Sequence, residues 1–308
     1  MLHRFSDPDL GVTGHDPELL RKSLDLLRRK NVPLLSLEEV VAGVRRGAVG
    51  RGVAFTVDDG YSDFDRVGAE IFQEFDCPVT VFPCTGFIDG LFWFWWDRLA
   101  FAFLNTERDR ISAPELDLTL NLETRAGTAI SLSLATERIK TLPDGDRKGW
   151  VDYILEELDV EIPTRPPSRY RPMTWGRIRA LASELISFGP HTVHHSSLAT
   201  AGPAQVHEEI SGSYRRLKEE IREPLSVFCY PYGTAADVST EAGSIIESLG
   251  LRGAVTAIPR YVSAGGADGT DPFLMGRFPW PSNLVDLRQV AFGFQRLKDL
   301  LRSGGKAG

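Results

Sequence analysis

A chain of 308 residues with 42% hydrophobic and 25% charged side chains has the composition of an ordinary globular protein, and its length fits one large domain or two small ones. Its net charge of -7 and its lack of a Lys/Arg-rich block argue against a phosphate-tracking surface, so no nucleic-acid partner is expected. Cys77, Cys84 and Cys229 form no Cys-x-x-Cys pair, which points to neither a disulfide framework nor a thiolate metal site and is compatible with a reducing compartment.

From the N-terminus, Met1 to Phe5 reads as a short strand. Asp7, Asp9, His15 and Asp16 would interrupt a signal-peptide core, and no window approaches the roughly 20 apolar residues that span a bilayer. With Met1 as the natural start, a cytoplasmic protein is expected. Asp16-Pro17 supplies an N-cap and a first-turn proline for a helix through Arg29. A strand follows at Val32 to Leu35, then a capping box, Ser36-Leu-Glu-Glu39, opens the next helix.

Val53 to Val57 is an apolar strand that runs directly into Asp58-Asp59-Gly60. Neighbours on an extended chain point to opposite sides, so two adjacent carboxylates at one strand end can take different jobs, one holding a metal and the other handling protons. Asp-Asp-Gly by itself also makes a polar turn. Val79 to Phe82 is the next strand.

Residues 90 to 170 interrupt this rhythm. Leu91 to Leu104 carries five Phe or Trp residues within its first six positions, too aromatic to lie fully exposed. Leu116 to Leu134 alternates apolar and polar residues like a hairpin, and Trp150 to Leu158 reads as a helix. The stretch is expected to be an insertion packed beside the rest of the fold, its aromatics filling a local core, walling a substrate pocket or forming an interfacial surface.

Leu185 to Phe188 is another short strand, followed by Gly189-Pro190 and then His191-Thr192-Val193-His194-His195. Two imidazoles and a carboxylate make an open metal site that leaves a position for water. Spacing does not choose between His194 and His195 as the second imidazole. A helix with Val206, Ile210, Leu217 and Ile221 on one face comes next, then strands at Val227 to Tyr230, Gly253 to Ala257 and Phe273 to Phe278. Strands alternating with helices argue for parallel βα units, with ligand-type residues at strand C-terminal ends, the active face of a barrel. The tail 301–308 is expected to be disordered.

In chain order, Phe55-Thr-Val-Asp58-Asp59-Gly60, Pro78-Val-Thr-Val-Phe82, His191-Thr192-Val-His194-His195 and Phe228-Cys-Tyr-Pro231-Tyr232-Gly233 resemble the polysaccharide deacetylases of the NodB-homology type (carbohydrate esterase family 4), the last in a Tyr-Pro-Tyr-Gly variant of the family's third motif. The resemblance implies an α/β fold, a distorted, incomplete (β/α) barrel of about seven strands formed by residues 1–89 and 171–300, with 90–170 inserted. It implies Asp59, His191 and His195 as metal ligands and Asp58 as general base, with His194 left as a neighbour. The backbone N–H of Tyr232 would be the oxyanion donor.

The chain departs from the family pattern twice. The third motif often begins with an arginine that pairs with the base, and Cys229 stands there instead, so Arg277, at a late strand end, is the expected partner of Asp58. The late Leu-x-His motif that supplies a general acid is also absent, since no histidine follows His207. Leu2-His3-Arg4-Phe5 is similar to the permuted version found at the N-terminus of some members, which makes His3 the expected acid.

These readings lead to a metal-dependent hydrolase that removes an N-acetyl or other N-acyl group from an amino sugar or glycan intermediate. Zn2+ suits carboxylate plus imidazole, as do Co2+, Ni2+ and Fe2+. A cytoplasmic enzyme would favour an intermediate made inside the cell, free, nucleotide-linked or lipid-linked. The alternatives are hydrolysis of a formamide or cyclic amide on the same barrel, and a non-catalytic carbohydrate-binding barrel, against which the retained Asp58 argues.

Overall fold

The structure is a computed structural model that describes residues 1–264 and 269–293. The expected tail, 301–308, and the last stretch of the expected barrel, 294–300, lie outside the described residues. Among those described, seven strands occur: β1 (Phe55–Asp59), β2 (Val79–Pro83), β3 (Arg110–Ala113), β4 (Leu118–Asn121), β5 (Ile186–Phe188), β6 (Val227–Cys229) and β7 (Gly253–Val255). The chain divides into two compact units, one of Met1–Asp89 with Pro172–Gly308, the other Gly90–Arg171.

The first unit is a distorted, incomplete barrel of parallel strands and helices. β1 pairs with β2 and β2 with β5, all parallel, and β6 pairs in parallel with β7. Every residue of β1 and β2 is buried, the pattern of strands covered on both faces. Elsewhere the ladder thins to single parallel bridges, Leu2 to Val57, Leu34 to Val53 and Val255 to Met275. The segments Met1 to Phe5, Val32 to Leu35 and Phe273 to Phe278 are therefore bridge-bearing stretches, where full strands were expected. Isolated backbone hydrogen bonds link β5 to β6, from Leu225 N to Phe188 O at 2.7 Å and from Cys229 N to Pro190 O at 3.0 Å. Others link the N-terminal segment to the last one, from Met1 N to Phe278 O and from Trp280 N to Met1 O, each at 2.9 Å.

The helices begin where local chemistry starts them. Asp16 accepts from Glu18 N at the head of the helix Pro17–Arg29, and Ser36 and Glu39 form a reciprocal capping box on Leu37–Arg46, satisfying N–H groups that no helical carbonyl can reach. Their apolar faces close the core: Leu20, Leu24 and Leu27 pack with Val57, Val81 and Phe188. Val206, Ile210 and Leu217 are the buried stripe of the helix Pro203–Glu220. No helix among the described residues is long and apolar enough to cross a membrane.

The second unit has its own core, in which Leu99 and Phe103 meet Ile111, Leu120, Ile139 and Ile154. Its aromatic run is partly internal: Trp93 and Phe94 are buried, and Phe94 stacks on Trp96 with centroids 4.4 Å apart. The hairpin expected over Leu116 to Leu134 is corrected. β4 pairs antiparallel with the preceding β3, while Arg125–Lys140 is helical. Thr124 caps that helix by accepting from Gly127 N, and Ser131, Ala135 and Ile139, spaced by four, form its buried face. The period-two pattern thus ends with β4, and the later apolar residues follow the helical period.

Gly189 sets how β5 delivers its histidines. A Cβ placed there would lie 2.7 Å from both the Phe82 ring and the Val227 carbonyl, so only a missing side chain lets three strands converge. Gly189→Ala is expected to cost about 1–3 kcal/mol by overpacking, read as a lowered urea midpoint at unchanged slope. An unchanged midpoint would contradict this packing.

Candidate active site

Two carboxylates leave β1 side by side and meet different partners. Leu2 donates its N–H to Thr56 O at 2.8 Å and accepts from Asp58 N at 3.0 Å, which fixes the N-terminal segment against the end of β1. Asp58 is 3% exposed and is gripped by Arg277 in a bidentate pair: Nη1 donates to Oδ1 at 2.7 Å and Nη2 to Oδ2 at 2.8 Å. The guanidinium also donates to Thr256 O and Thr56 Oγ1, both at 2.9 Å, and its Nη2 lies 3.2 Å from Cys229 Sγ. A fork of this kind fits a carboxylate in one orientation. Burial would push the Asp58 carboxyl up, but Arg277 more than reverses it and holds the pKa at about 2.

Asp59 has φ 73, a left-handed conformation that costs a non-glycine residue on the order of 1–3 kcal/mol. Its Oδ1 lies 3.4 Å from His195 Nε2 and 3.6 Å from His191 Nε2. The site strains the backbone again at Thr192 (φ 63), His195 (φ 60) and Tyr232 (φ 56). His195 N donates to Thr192 Oγ1 at 2.9 Å, so the threonine hydroxyl ties the two strained residues together. The His191 and His195 rings meet edge to face, 4.9 Å apart.

The donor set fits a divalent cation. His191 Nδ1 lies 2.8 Å from Cys229 O, and a carbonyl can only accept, so Nδ1 carries the proton. In the neutral imidazole, Nε2 is then an acceptor, and it faces the acceptor-only Asp59 carboxylate. Lone pairs opposed at this range call for a positive charge between them. Burial would lower the His191 pKa, yet Cys229 and Asp59 hold it well above the ordinary imidazole value, while burial leaves His195 below it. Burial raises Asp59, but the two imidazoles beside it bring its carboxyl well below the usual carboxylate range. Asp58, His191 and Cys229 form a second trio of ligand-type atoms within one reach. That trio does not suit a cation, because the Arg277 guanidinium already holds both Asp58 oxygens and touches the sulfur.

The structure separates the two histidines that spacing could not. His195 is buried against Asp59, whereas the His194 ring is 55% exposed and its Nδ1 lies 2.8 Å from Glu209 Oε1. His3 Nε2 is 3.9 Å from Asp58 Oδ2, its side chain 44% exposed. The Tyr232 ring lies edge to face on His195, centroids 4.7 Å apart. His3, Asp58, Asp59, His191, His195, Tyr232 and Arg277 are linked by these contacts. Glu209 and Thr56 also contact the site's residues, and the sequence reading singled out neither. The signal for Glu209 was a charged residue on the apolar face between Val206 and Ile210.

The ion pair predicts a pH signature. With a folded pKa of about 2 against the ordinary 3.8, ionised Asp58 stabilises the fold above about pH 4, and this contribution is lost as the pH falls toward 2. Arg277→Met removes the opposing charge but leaves burial, so the carboxyl rises above its ordinary value and its ionisation opposes folding as pH increases. The destabilisation by Arg277→Met is expected to widen from about pH 3 to about pH 7, where breaking a buried pair costs about 3–5 kcal/mol. A difference independent of pH would contradict this assignment.

Residues 150–254 match the family model described as Polysaccharide deacetylase, a span that holds His191, His195 and the Tyr-Pro-Tyr-Gly segment. No curated protein matches the chain by sequence. Among solved structures, the chain is similar to the Streptococcus pyogenes deacetylase PplD in complex with acetate, at 17% identity and TM-score 0.59, covering 94% of this chain and 95% of that one. It is also similar to IcaB from Ammonifex degensii, at 16% identity and TM-score 0.55 over 94% and 93%. A de-N-acetylase from Aggregatibacter actinomycetemcomitans gives 11% identity and TM-score 0.55 over 93% and 97%. At these identities the likeness is one of fold. Residues 150–254 thus carry a polysaccharide deacetylase match, and the chain as a whole shares the fold of these solved deacetylases.

Proposed function

We propose that the chain is a metal-dependent hydrolase that removes the acetyl group from an N-acetylated amino sugar of a glycan. The observation that carries this reading is the pairing of two buried carboxylates, one clamped by Arg277 and one lying between two imidazoles. Asp59, His191 and His195 would hold the ion, zinc before cobalt, nickel or iron for this donor set. A bound ion of this kind polarises an amide carbonyl and lowers the pKa of water.

The remaining steps fall to the chain's own groups. Asp58 stays ionised at neutral pH and is the proton acceptor for the attacking water, with Arg277 fixing its plane. The Tyr232 backbone N–H, on its strained turn, is the donor for the oxyanion that forms as the carbonyl carbon becomes tetrahedral. His3 stands at the exposed edge beside Asp58, where it gives a proton to the departing sugar nitrogen. Its partial exposure suits a group that must reload its proton from solvent.

Release of acetate from N-acetylated oligosaccharides by the zinc-loaded protein tests the reading. Asp58→Asn and His3→Ala are each expected to lower turnover by about two to four orders of magnitude, the scale of a lost proton-transfer group, with metal content unchanged. Asp59→Asn should lose the metal itself. Equal metal loss in Asp58→Asn and Asp59→Asn, or full turnover in His3→Ala, would overturn these roles.

A further inference from the structure

We propose that Glu209 is the positioning residue of the metal-binding loop, an internal anion that holds the backbone between His191 and His195 in its ligand-presenting shape. The inference rests on the reading of Asp59, His191 and His195 as the metal centre.

The loop has a geometric problem. His191 and His195 must turn their rings toward one carboxylate from positions four residues apart, and the chain does so through two left-handed residues, Thr192 and His195. Such residues persist only where the surroundings over-determine them. The Thr192 carbonyl and the Val193 carbonyl accept from Thr85 N at 3.2 Å and Gly86 N at 2.9 Å, which secures one side of the loop. On the other side the N–H groups of Val193 and His194 both point at a single atom, Glu209 Oε2, at 2.9 and 2.8 Å. Two successive N–H groups converging in this way form a small anion-binding nest.

Glu209 fills that nest from the helix Pro203–Glu220, at a position that is 4% exposed. Its other oxygen lies 2.8 Å from His194 Nδ1 and 3.3 Å from Ser196 Oγ. Four groups spanning Val193 to Ser196 thus converge on one carboxylate. A buried carboxylate with this many donors costs little to keep charged. The arrangement also explains why His194 turns outward: its ring is spent on the far oxygen of Glu209, and His195 is left for Asp59. Glu209 acts through the backbone that carries the two ligands.

The test is metal affinity of the full chain, titrated with Zn2+ alone against a chromophoric chelator, with no substrate present. Glu209→Gln keeps the shape but sets an amide NH2 or a weaker neutral acceptor against the two N–H groups. It is expected to weaken Zn2+ binding by about 10- to 100-fold, the scale for groups that orient metal ligands, while the unfolding midpoint of the metal-free chain stays close to wild type. His194→Ala, which spares both backbone contacts, should lower affinity by no more than about threefold. Wild-type affinity in Glu209→Gln overturns the proposal, and so does a large stability loss of the metal-free chain with affinity unchanged. If Glu209→Gln shows no cooperative unfolding, Glu209→Asp is read by the same titration. A weakened affinity there supports the proposal, and wild-type affinity overturns it. A wild-type chain that takes up no divalent ion would instead remove the metal reading on which this one rests.

Discussion

Two carboxylates placed next to each other at a buried strand end cannot share one environment, because like charges at that range force a proton onto one of them. The structure resolves this by giving each its own counter-charge. Asp58 receives the Arg277 guanidinium from the segment after β7, and Asp59 turns through a left-handed backbone toward two imidazoles. The rest of the site follows from this division. Thr56 and Thr256 orient the guanidinium, the Cys229 carbonyl fixes the His191 tautomer, and the N-terminal segment pairs with β1 so that His3 stands beside Asp58.

The cost of the arrangement is local strain. Asp59, Thr192, His195 and Tyr232 are all non-glycine residues at positive φ: Asp59 and His195 face each other, the Thr192 hydroxyl accepts from His195 N, and the Tyr232 ring lies on His195. Glycine would relieve the strain but remove the functional group from three of the four. The surrounding packing therefore has to enforce the geometry, through close approaches such as that of Gly189 to Phe82 and Val227 and through side-chain anchors such as Thr192 Oγ1. Rigidity here serves the chemistry, since a donor set displaced by even a fraction of an ångström binds and polarises less well.

Much of the fold and the ligand-type residues could be read in the sequence, and the reasons are physical. Asp16-Pro17 and Ser36-Leu-Glu-Glu39 start helices because they satisfy local N–H groups, and short apolar runs make strands buried on both faces. Periodicity failed where two elements abut: the alternation of β4 was carried past Thr124 into what is a helix. Strand lengths were overread at Met1 to Phe5 and at Phe273 to Phe278, because apolar sequence signals burial and does not signal a continuous ladder. The choice of His195 over His194 depends on backbone turns that spacing does not encode. Glu209 was passed over for a related reason: its place on the apolar face beside Val206 and Ile210 marks it as buried, but what it meets there shows only when the 193–196 loop is seen against it.

X-ray absorption at the zinc edge of the loaded protein tests the central claim, that the metal centre is built from Asp59, His191 and His195 while Asp58 remains with Arg277. The account predicts a first shell of nitrogen and oxygen only, with scattering from two imidazoles and no sulfur, unchanged in Cys229→Ser and lost in Asp59→Asn. A sulfur neighbour that disappears in Cys229→Ser would place the ion on Asp58, His191 and Cys229 and contradict it.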